Sequence, residues 1–227
     1  MEDSSDYLLK VSNLKVELQN QIILEKVNFK IKRGTTLAIV GPNGAGKTVL
    51  FKTLLNLLPY TGKIEWAKKI KIGYVPQNIS VKDIPISVKE FLSYSRNGAD
   101  IEGALNAVRL NNAGIANQSL GVLSGGQLRR VLIAWAIIDK PNVLLFDEPT
   151  VGVDVGGEES IFVMLNELKK KTDITMLLIT HDIHLVKEYT DELLGLNKCM
   201  TFFGDSQRIA EPLLQQKIYG EIVCSNT

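Results

Sequence analysis

The chain has 227 residues, enough for one large domain or two small ones, and 45% of them are hydrophobic, which allows a sizeable core. Lys and Arg total 26 against 25 for Asp and Glu, and the net charge of +1 gives none of the basic excess that would predict a nucleic-acid partner. The acidic start MEDSSDYLLK is unlike a secretory signal, and no apolar run approaches the roughly 18 residues of a membrane span. We therefore expect a chain that is soluble by itself and meets a membrane only through a partner.

Strands are predicted first along the chain. The runs LLKVSNLKVEL, LEKVNFKI and TLAIV are rich in apolar and β-branched residues, and VNFKI alternates with period two. The stretch GKIEWAKKIKIGYVPQ predicts further strand that ends in a turn at Pro76. The opening third is therefore expected to be β-rich.

A glycine-rich loop, VGPNGAGKTVL, joins the predicted strand TLAIV to a predicted helix. Gly41, Gly44, Gly46, Lys47 and Thr48 match the phosphate-binding pattern G-x-x-x-x-G-K-[ST]. Glycines let the loop wrap around a phosphate, and the helix N-terminus adds positive potential. The lysine can reach the β- and γ-phosphates, and the threonine hydroxyl can ligate Mg²⁺. An ordinary glycine-rich turn is the alternative, but five matched positions with the right flanks favour a nucleoside triphosphate.

Helical patterns begin after Gln77. SVKEFLSYS and DIEGALNAVRL predict short amphipathic helices with Ser87 and Asp100 as N-caps, and residues from about 82 to 140 are expected to form a helical subdomain. NVLLFDEPT and ITMLLITHD then predict strands, with the helix EESIFVMLNELKKK between them and a further helical segment in SQRIAEPLLQQKIYG. This βαβ order predicts parallel strands covered by helices.

Two carboxylates follow the apolar strand VLLFDE. Asp147 and Glu148 are placed at its C-terminal end, the edge at which open α/β sheets bind ligands. We expect Asp147 to act on Mg²⁺ through water and Glu148 to be the general base that orients the attacking water. A surface Asp-Glu pair is the alternative, and the phosphate loop in the same chain disfavours it.

The string LSGGQ precedes the strongly helical run LRRVLIAWAII. Ser124 can cap that helix and offer its hydroxyl to an anion, while Gly125 and Gly126 let backbone N–H groups approach the same anion. With this string, which ends at Gln127, the chain resembles the ABC ATPases. In that family the pentapeptide contacts the γ-phosphate held by a second subunit, so the resemblance implies two ATP molecules between two copies of the chain.

The resemblance covers nearly the whole chain. Gln77 in YVPQN matches the family glutamine that contacts Mg²⁺ and senses the transport partner, Asp154 in VGVD matches the aspartate that touches the opposite subunit, and His181 in LLITHD matches the switch histidine at the γ-phosphate. It implies an α/β P-loop NTPase fold of ABC type, with a mixed sheet core, an antiparallel β subdomain and a helical subdomain. Residues 1–227 would form a single nucleotide-binding domain.

Two positions depart from the family pattern. Leu18 aligns where the family usually stacks an aromatic residue on adenine, and Val49 stands where a hydroxyl residue often helps to hold the α-phosphate. A hydrogen bond to a charged group is worth on the order of 1.5–3 kcal/mol, so its loss is expected to weaken binding. The residues expected to contact the nucleotide are Leu18, Gly41, Pro42, Asn43, Gly44, Ala45, Gly46, Lys47, Thr48 and Val49, with Thr48, Gln77 and Asp147 holding the Mg²⁺ of Mg-ATP.

The chain itself offers little for another metal. His181 and His184 are its only histidines, and Cys199 and Cys224 are not at a metal-ligand spacing. A transported ion is therefore not expected to bind here.

The spacing of the motifs narrows the setting in which ATP is used. Lys47 and Ser124 are 77 positions apart, which leaves no room for the long coiled coil of DNA-repair and chromosome ABC proteins. Only one nucleotide domain is present, unlike the tandem domains of ABC translation factors. An ATPase of iron–sulfur cluster assembly, which has one domain and no spans, remains an alternative.

The distal third resembles the ATPase subunits of bacterial zinc and manganese uptake systems, and the string HDIHLV…TDE…LN is closer to the zinc branch. The resemblance implies a homodimer that shares ATP sites and drives an integral membrane permease importing zinc, with manganese as the alternative ion. It also implies an extracytoplasmic metal-binding protein as an indirect partner. The chain would lie at the cytoplasmic face of the cell membrane, held there by the permease.

Overall fold

A computed structural model gives the structure of the chain and describes residues 7–77, 79, 85–95, 100–112, 114–149 and 155–220. The chain forms two compact units, Met1–Ile70 with Thr175–Thr227 and Lys71–Ile174. In the described part of the chain, no helix combines the length and the apolar character that crossing a bilayer requires.

Strands and helices appear in an order close to the predicted one. The strands of the described residues are β1 (Tyr7–Leu18), β2 (Gln21–Lys32), β3 (Thr36–Val40), β4 (Thr61–Trp66), β5 (Ile72–Val75), β6 (Val143–Asp147), β7 (Thr175–Ile179), β8 (Glu192–Asn197) and β9 (Cys199–Asp205). The helices are α1 (Lys47–Leu54), α2 (Val88–Ser93), α3 (Ile101–Ala107), α4 (Gly125–Ile137), α5 (Val155–Thr172), α6 (Ile183–Tyr189) and α7 (Pro212–Tyr219), with short 3₁₀ turns at Ile115–Asn117, Leu120–Val122 and Ser206–Ala210. The predicted strands are confirmed, whereas β8 and β9 had no separate sequence prediction.

The sheet of the first unit has the strand order β4-β1-β2-β9-β8-β3-β7. β1 pairs antiparallel with β2 and β4, whereas β3 pairs parallel with β7 and β8. β3 and β7 are buried along their whole length, which is why TLAIV and TMLLI lack polar alternation. The predicted α/β fold, with a mixed sheet and an antiparallel β subdomain, is confirmed.

One face of this sheet carries the C-terminal helices. Buried side chains from β3, β8, α6, α7 and the last 3₁₀ turn form one apolar cluster: Ala38, Val40, Val186, Leu193, Ile209, Leu214 and Ile218. α7 begins at Pro212, whose fixed φ and missing N–H suit the first helical position and divide the predicted C-terminal helix from the preceding turn. This packing holds α6, and hence the segment that follows β7, against the sheet.

The second unit contains the parallel pair β5 and β6, with Val75 opposite Phe146. Helices α2, α3 and α4 lie within the span of 82–140 that was predicted to be helical. Their predicted caps are confirmed, because the side chains of Ser87, Asp100 and Ser124 each accept a hydrogen bond from a backbone N–H in the first turn. Capping of this kind satisfies N–H groups that lack a partner within the helix.

Candidate functional site

The phosphate loop requires glycine at two positions for reasons of space as well as conformation. Gly41 has φ 154°, and a Cβ there would lie 1.9 Å from the Leu196 carbonyl oxygen. Gly46 has φ 93°, and a Cβ there would lie 2.6 Å from Leu24 Cδ2. The neighbouring strands β8 and β2 therefore press on the loop, and a side chain at either glycine would push the backbone out of place.

Lys47 is buried at the start of α1, with 7% of its surface exposed. Its Nζ donates to the carbonyl oxygens of Gly41 at 2.8 Å and Pro42 at 3.0 Å. The ammonium thus holds the loop that it belongs to, and it supplies a fixed positive charge at the N-terminal end of a helix. A phosphate is the ligand that such an arrangement of charge and helix end favours.

His181 follows β7, and the phosphate loop follows β3. Because these strands are parallel, with Ile39 opposite Ile179, both segments leave the sheet at the same edge. His181 is exposed. Next to it, Asp182 caps α6, its Oδ1 accepting from the backbone N–H of His184 at 2.8 Å. Within the first unit, the structure therefore brings the predicted switch histidine and the phosphate loop to one sheet edge.

An open cleft of about 630 Å³ begins at His181 and is lined by His181, Asp182, Ile183, His184, Lys187, Ala210 and Gln215. The described residues include no group of three or more His, Cys, Asp or Glu side chains that could hold a metal ion.

Leu18 is the last residue of β1 and is half-buried. It pairs with Gln21 across a two-residue turn in which Gln19 has φ 50° and Asn20 has φ 62°, values typical of a type I′ hairpin. Thr48 and Val49 lie in the first turn of α1 and are also half-buried. The adenine role of Leu18 stays a prediction.

The predicted base and the predicted glutamine meet in the second unit. β5 and β6 are parallel, so that Gln77 and Glu148 emerge beyond the same ends of the two strands. The Gln77 side-chain amide Nε2 donates a hydrogen bond to Glu148 Oε2. The backbone of Glu148 has φ 52°, a left-handed conformation that costs roughly 1–2 kcal/mol in a residue other than glycine. Such a backbone persists only where the surrounding structure supports it.

Asp147 ends β6 and is almost fully buried, with 1% of its surface exposed. The hydroxyl of Tyr74, on the neighbouring strand β5, is hydrogen-bonded to this carboxylate. Burial, together with the charge and hydrogen bond of Asp147, raises the pKa of Tyr74 to about 12. Tyr74 therefore stays protonated at physiological pH and remains a donor to Asp147.

Ser124 and Gln127 form a capping box at the start of α4. Ser124 Oγ accepts from the Gln127 backbone N–H at 3.2 Å, and Gln127 Oε1 accepts from the Ser124 backbone N–H at 3.0 Å. Ser124 and Gly125 are exposed, and Gly126 is half-buried. The LSGGQ string therefore has a structural role within the chain, and it also presents its serine and first glycine at the surface.

Arg129 is a buried residue of this site that the sequence patterns did not single out. It lies on α4 with 3% of its surface exposed, and its guanidinium donates to the backbone carbonyls of Pro76, Gln77 and Glu148. The sequence does contain a signal for it. Arg129 precedes the apolar Ile133 by four residues, which places a charged residue on the apolar face of a predicted helix.

The predicted site residues thus form groups within each unit. The first unit holds the phosphate loop, Leu18 and His181, and the second holds Gln77, Asp147, Glu148 and the LSGGQ string. Asp154 lies outside the described residues.

These features define a P-loop nucleoside triphosphatase: a phosphate loop with a buried lysine, and a strand end with an acidic pair. A sequence model of the family described as ABC transporter matches residues 24–151, the span that runs from β2 past the acidic pair. The chain therefore belongs to the ABC transporter family, and it is an ATP-binding domain and an ATPase.

Relatives resemble the chain along nearly all of its length. It is 35% identical over 223 residues to the zinc import ATP-binding protein ZnuC of Histophilus somni (strain 129Pt), covering 96% of this chain and 84% of that protein. It is 36% identical over 217 residues to the zinc import ATP-binding protein ZnuC 2 of Aliivibrio fischeri (strain ATCC 700601 / ES114), covering 94% and 88%. A solved structure of cbiO1 from Clostridium perfringens, part of the ABC transporter complex cbiONQ, matches with a TM-score of 0.79 and 28% identity over 92% of this chain and 93% of that one.

Proposed function

We propose that this chain is the ATP-hydrolysing subunit of a system that imports zinc through a membrane permease. One observation carries the choice of zinc: the similarity to zinc import ATP-binding proteins extends over 96% of the chain at 35% identity. Zinc is the cargo in this proposal and passes through the permease, not through this chain. The chain lies at the cytoplasmic face of the cell membrane, bound to the permease, and an extracytoplasmic metal-binding protein delivers the ion.

The phosphate loop and the acidic strand end fit Mg-ATP. The buried ammonium of Lys47 rests on the carbonyls of Gly41 and Pro42, and the close contact at Gly41 fixes the path of the loop backbone. Backbone N–H groups of a glycine-rich loop at a helix N-terminus are donors that suit phosphate oxygens. We assign residues 41–49 to the phosphates, and Thr48, Gln77 and Asp147, all oxygen donors, to Mg²⁺. The ion, when bound, offsets negative charge on the β- and γ-phosphates.

Hydrolysis is assigned to three side chains. Glu148 accepts the proton of the attacking water as general base, and the hydrogen bond from Gln77 Nε2 holds its carboxylate in place. His181 is assigned to the γ-phosphate, whose charge it would stabilise as water attacks the γ-phosphorus and the bond to the bridging oxygen of the leaving ADP breaks. The contact between Gln77 and Glu148 supports a coupling between the segment expected to sense the permease and the catalytic base.

Two copies of the chain are proposed to share their ATP sites. Ser124, Gly125, Gly126 and Gln127 of one copy would contact the nucleotide held by the phosphate loop of the other, and Asp154 would touch the opposite copy. The exposure of Ser124 and Gly125 supports this assignment, because a contact with a second chain needs surface residues. Residues 1–227 would act as one nucleotide-binding domain whose helical part, approximately 82–140, moves the permease when the dimer closes.

The physiological role is tested by deleting the gene in its native host. We expect poor growth under zinc chelation, with rescue by added zinc and by the wild-type chain. Glu148→Gln, expressed at the normal level, should fail to complement, whereas Glu159→Gln, an exposed change on α5, should complement fully.

Two outcomes would overturn the zinc assignment. Rescue by manganese alone would keep the transporter and replace the ion. Normal zinc uptake with defective iron–sulfur enzymes would favour the assembly ATPase.

The base is tested with the purified chain. Glu148→Gln should lower kcat by about 10²–10⁴-fold, the usual contribution of a general base, while ATP binding is retained and an ATP-stabilised dimer appears on size exclusion. Near-normal turnover would remove Glu148 from this role.

The shared site is tested with mixed dimers. Lys47→Ala disables the phosphate loop of one subunit, and Ser124→Arg blocks the contact that the other subunit gives. Mixing the two variants should leave at most one intact site per dimer. Normal hydrolysis by Ser124→Arg alone, at saturating ATP, would contradict shared sites.

A further inference from the structure

Arg129 is an unusual residue on α4, because a guanidinium is rarely buried to 3% exposure. In the described part of the chain, its guanidinium donates to three backbone carbonyls. Nη1 donates to Pro76 O at 2.8 Å, and Nη2 donates to Gln77 O at 3.3 Å and to Glu148 O. Burial lowers the pKa of Arg129, and the nearby charges of Asp147 and Glu148 oppose that shift. Arginine side chains keep their charge in proteins.

The three acceptors belong to the two segments that carry the proposed base and its glutamine. Gln77 Nε2 donates to the carboxylate of Glu148, so these segments are joined once through side chains and once through the guanidinium of Arg129. One of the three carbonyls that accept from Arg129 is that of Glu148, whose backbone is left-handed with φ 52°. A charged donor on that carbonyl stabilises a backbone conformation that is otherwise unfavourable.

The planar fork of arginine suits this task. It presents donors in fixed directions and can hold several carbonyls at once, whereas the ammonium of lysine is a compact point charge on a flexible stem. Removing the guanidinium would leave three carbonyls to find other donors, and the backbone of Glu148 would lose its support.

We propose that Arg129 is a positioning residue for ATP hydrolysis: it holds the backbones of Gln77 and Glu148 so that the carboxylate of Glu148 is aimed at the attacking water. The inference rests on the proposed role of Glu148 as base. Arg129 also lies one turn beyond Gly125 on α4. The helix that Ser124 of the LSGGQ string caps therefore carries the residue that positions Glu148. The contact made by Ser124 and the geometry at Glu148 are thereby linked through one rigid element.

Arg130 provides a matched control on the same helix. It is partly buried and its pKa is also lowered by burial, but its guanidinium donates to Val108 O and to Ser160 Oγ. It does not share the acceptors of Arg129. If activity fell merely because a buried arginine of α4 was removed, the Arg129 and Arg130 variants would therefore lose activity alike.

The test compares the purified chain with Arg129→Gln, Arg129→Lys and Arg130→Gln. Arg129→Gln should lower kcat by about 10–100-fold, the scale of a misplaced catalytic group, with KM and the calorimetric Kd for ATP within about twofold. Arg129→Lys should be intermediate, because it keeps the charge and loses the fork. Arg130→Gln should keep kcat within about threefold even where it lowers the thermal unfolding midpoint.

Several outcomes would overturn the proposal. Unchanged kcat in Arg129→Gln would do so, as would equal losses of kcat in Arg129→Gln and Arg130→Gln, or a loss that lies wholly in ATP affinity. If Arg129→Gln does not fold, Arg129→Lys becomes the test. A wild-type kcat in that variant would show that the planar guanidinium is not required, and would overturn the proposal. Glu148→Gln separates the two levels: if it is active, the proposed base fails, and if it is inactive while Arg129→Gln is normal, only the positioning role fails.

Discussion

Ser124 combines two roles that a pair of substitutions can separate. Its Oγ caps α4 by accepting from the Gln127 backbone N–H, and the same exposed hydroxyl is proposed to contact the nucleotide of a second copy. Ser124→Ala removes both functions. Ser124→Asp keeps the cap, because Asp is as good an N-cap as Ser, but places a carboxylate where a γ-phosphate would approach.

The size of the effect follows from the capping box. Ser124→Ala removes the Oγ bond at 3.2 Å but leaves the reciprocal bond from the Ser124 N–H to Gln127 Oε1 at 3.0 Å. The loss should lie near the low end of cap substitutions, about 0.5–1 kcal/mol. For a chain of this size that corresponds to a fall of roughly 1–4 °C in the unfolding midpoint. Ser124→Asp should unfold within about 1 °C of wild type, since the cap is retained.

The assay pairs thermal unfolding with steady-state ATPase rates well below the transition. Ser124→Asp should lose ATPase activity by about tenfold or more, because opposing like charges costs on the order of several kcal/mol. Ser87→Ala is the matched control, since Ser87 and Glu90 form the same kind of box on α2. It should lower the midpoint by a similar amount and leave the ATPase rate unchanged.

Two results would refute this reasoning. An undiminished midpoint in Ser124→Ala would remove the cap contribution. Normal ATPase activity in Ser124→Asp at saturating ATP would remove the contact with a second copy.

Three further predictions concern other parts of the chain. Gly41→Ala places a Cβ 1.9 Å from Leu196 O, so overpacking should lower the free energy of unfolding by roughly 1–3 kcal/mol and weaken ATP binding; a variant as stable as wild type in urea would contradict the clash. Leu18→Tyr should tighten ATP binding by roughly 1–3 kcal/mol if the ring stacks on adenine, and unchanged affinity by calorimetry would dismiss the alignment. Burial, with a smaller contribution from Asp191, raises the pKa of Glu192, so stability falls as pH rises from the ordinary value of glutamate toward the raised one. Glu192→Gln should therefore raise the unfolding midpoint near neutral pH and lose this advantage in acid, and an equal shift at every pH would argue against titration.

Glu192 also shows why charge effects at such positions are invisible in the sequence. Among the described residues, its Oε2 has no hydrogen-bond partner although the atom is buried. In the sequence, this glutamate belongs to an ordinary polar-to-apolar transition, TDELLGL. Only the packing of β8 removes water from one of its carboxylate oxygens. The loss of that water raises the pKa of Glu192.

Local chemistry explains what the sequence by itself determined. The phosphate loop is contiguous in the sequence. Its glycines, Lys47 and Thr48 could be recognised as a phosphate-binding motif because adjacent residues supply both the turn and the charge. The caps at Ser87, Asp100 and Ser124 were predicted for the same reason, since an N-cap depends on a side chain and a backbone N–H two or three residues apart. Parallel strands covered by helices were predicted because apolar runs such as LAIV and VLLF alternate along the chain with helical patterns.

Tertiary structure alone decided the contacts that join distant segments. β9 lies between β2 and β8, a position that no periodicity predicts because strand order depends on long-range pairing. The left-handed backbone of Glu148, its hydrogen bond with Gln77, and the three carbonyls held by Arg129 bring together segments up to 71 positions apart. A pattern in the sequence records which side chains are present and at what spacing. The partners of a buried guanidinium are set by how helix and strands pack, and only the folded chain contains that information.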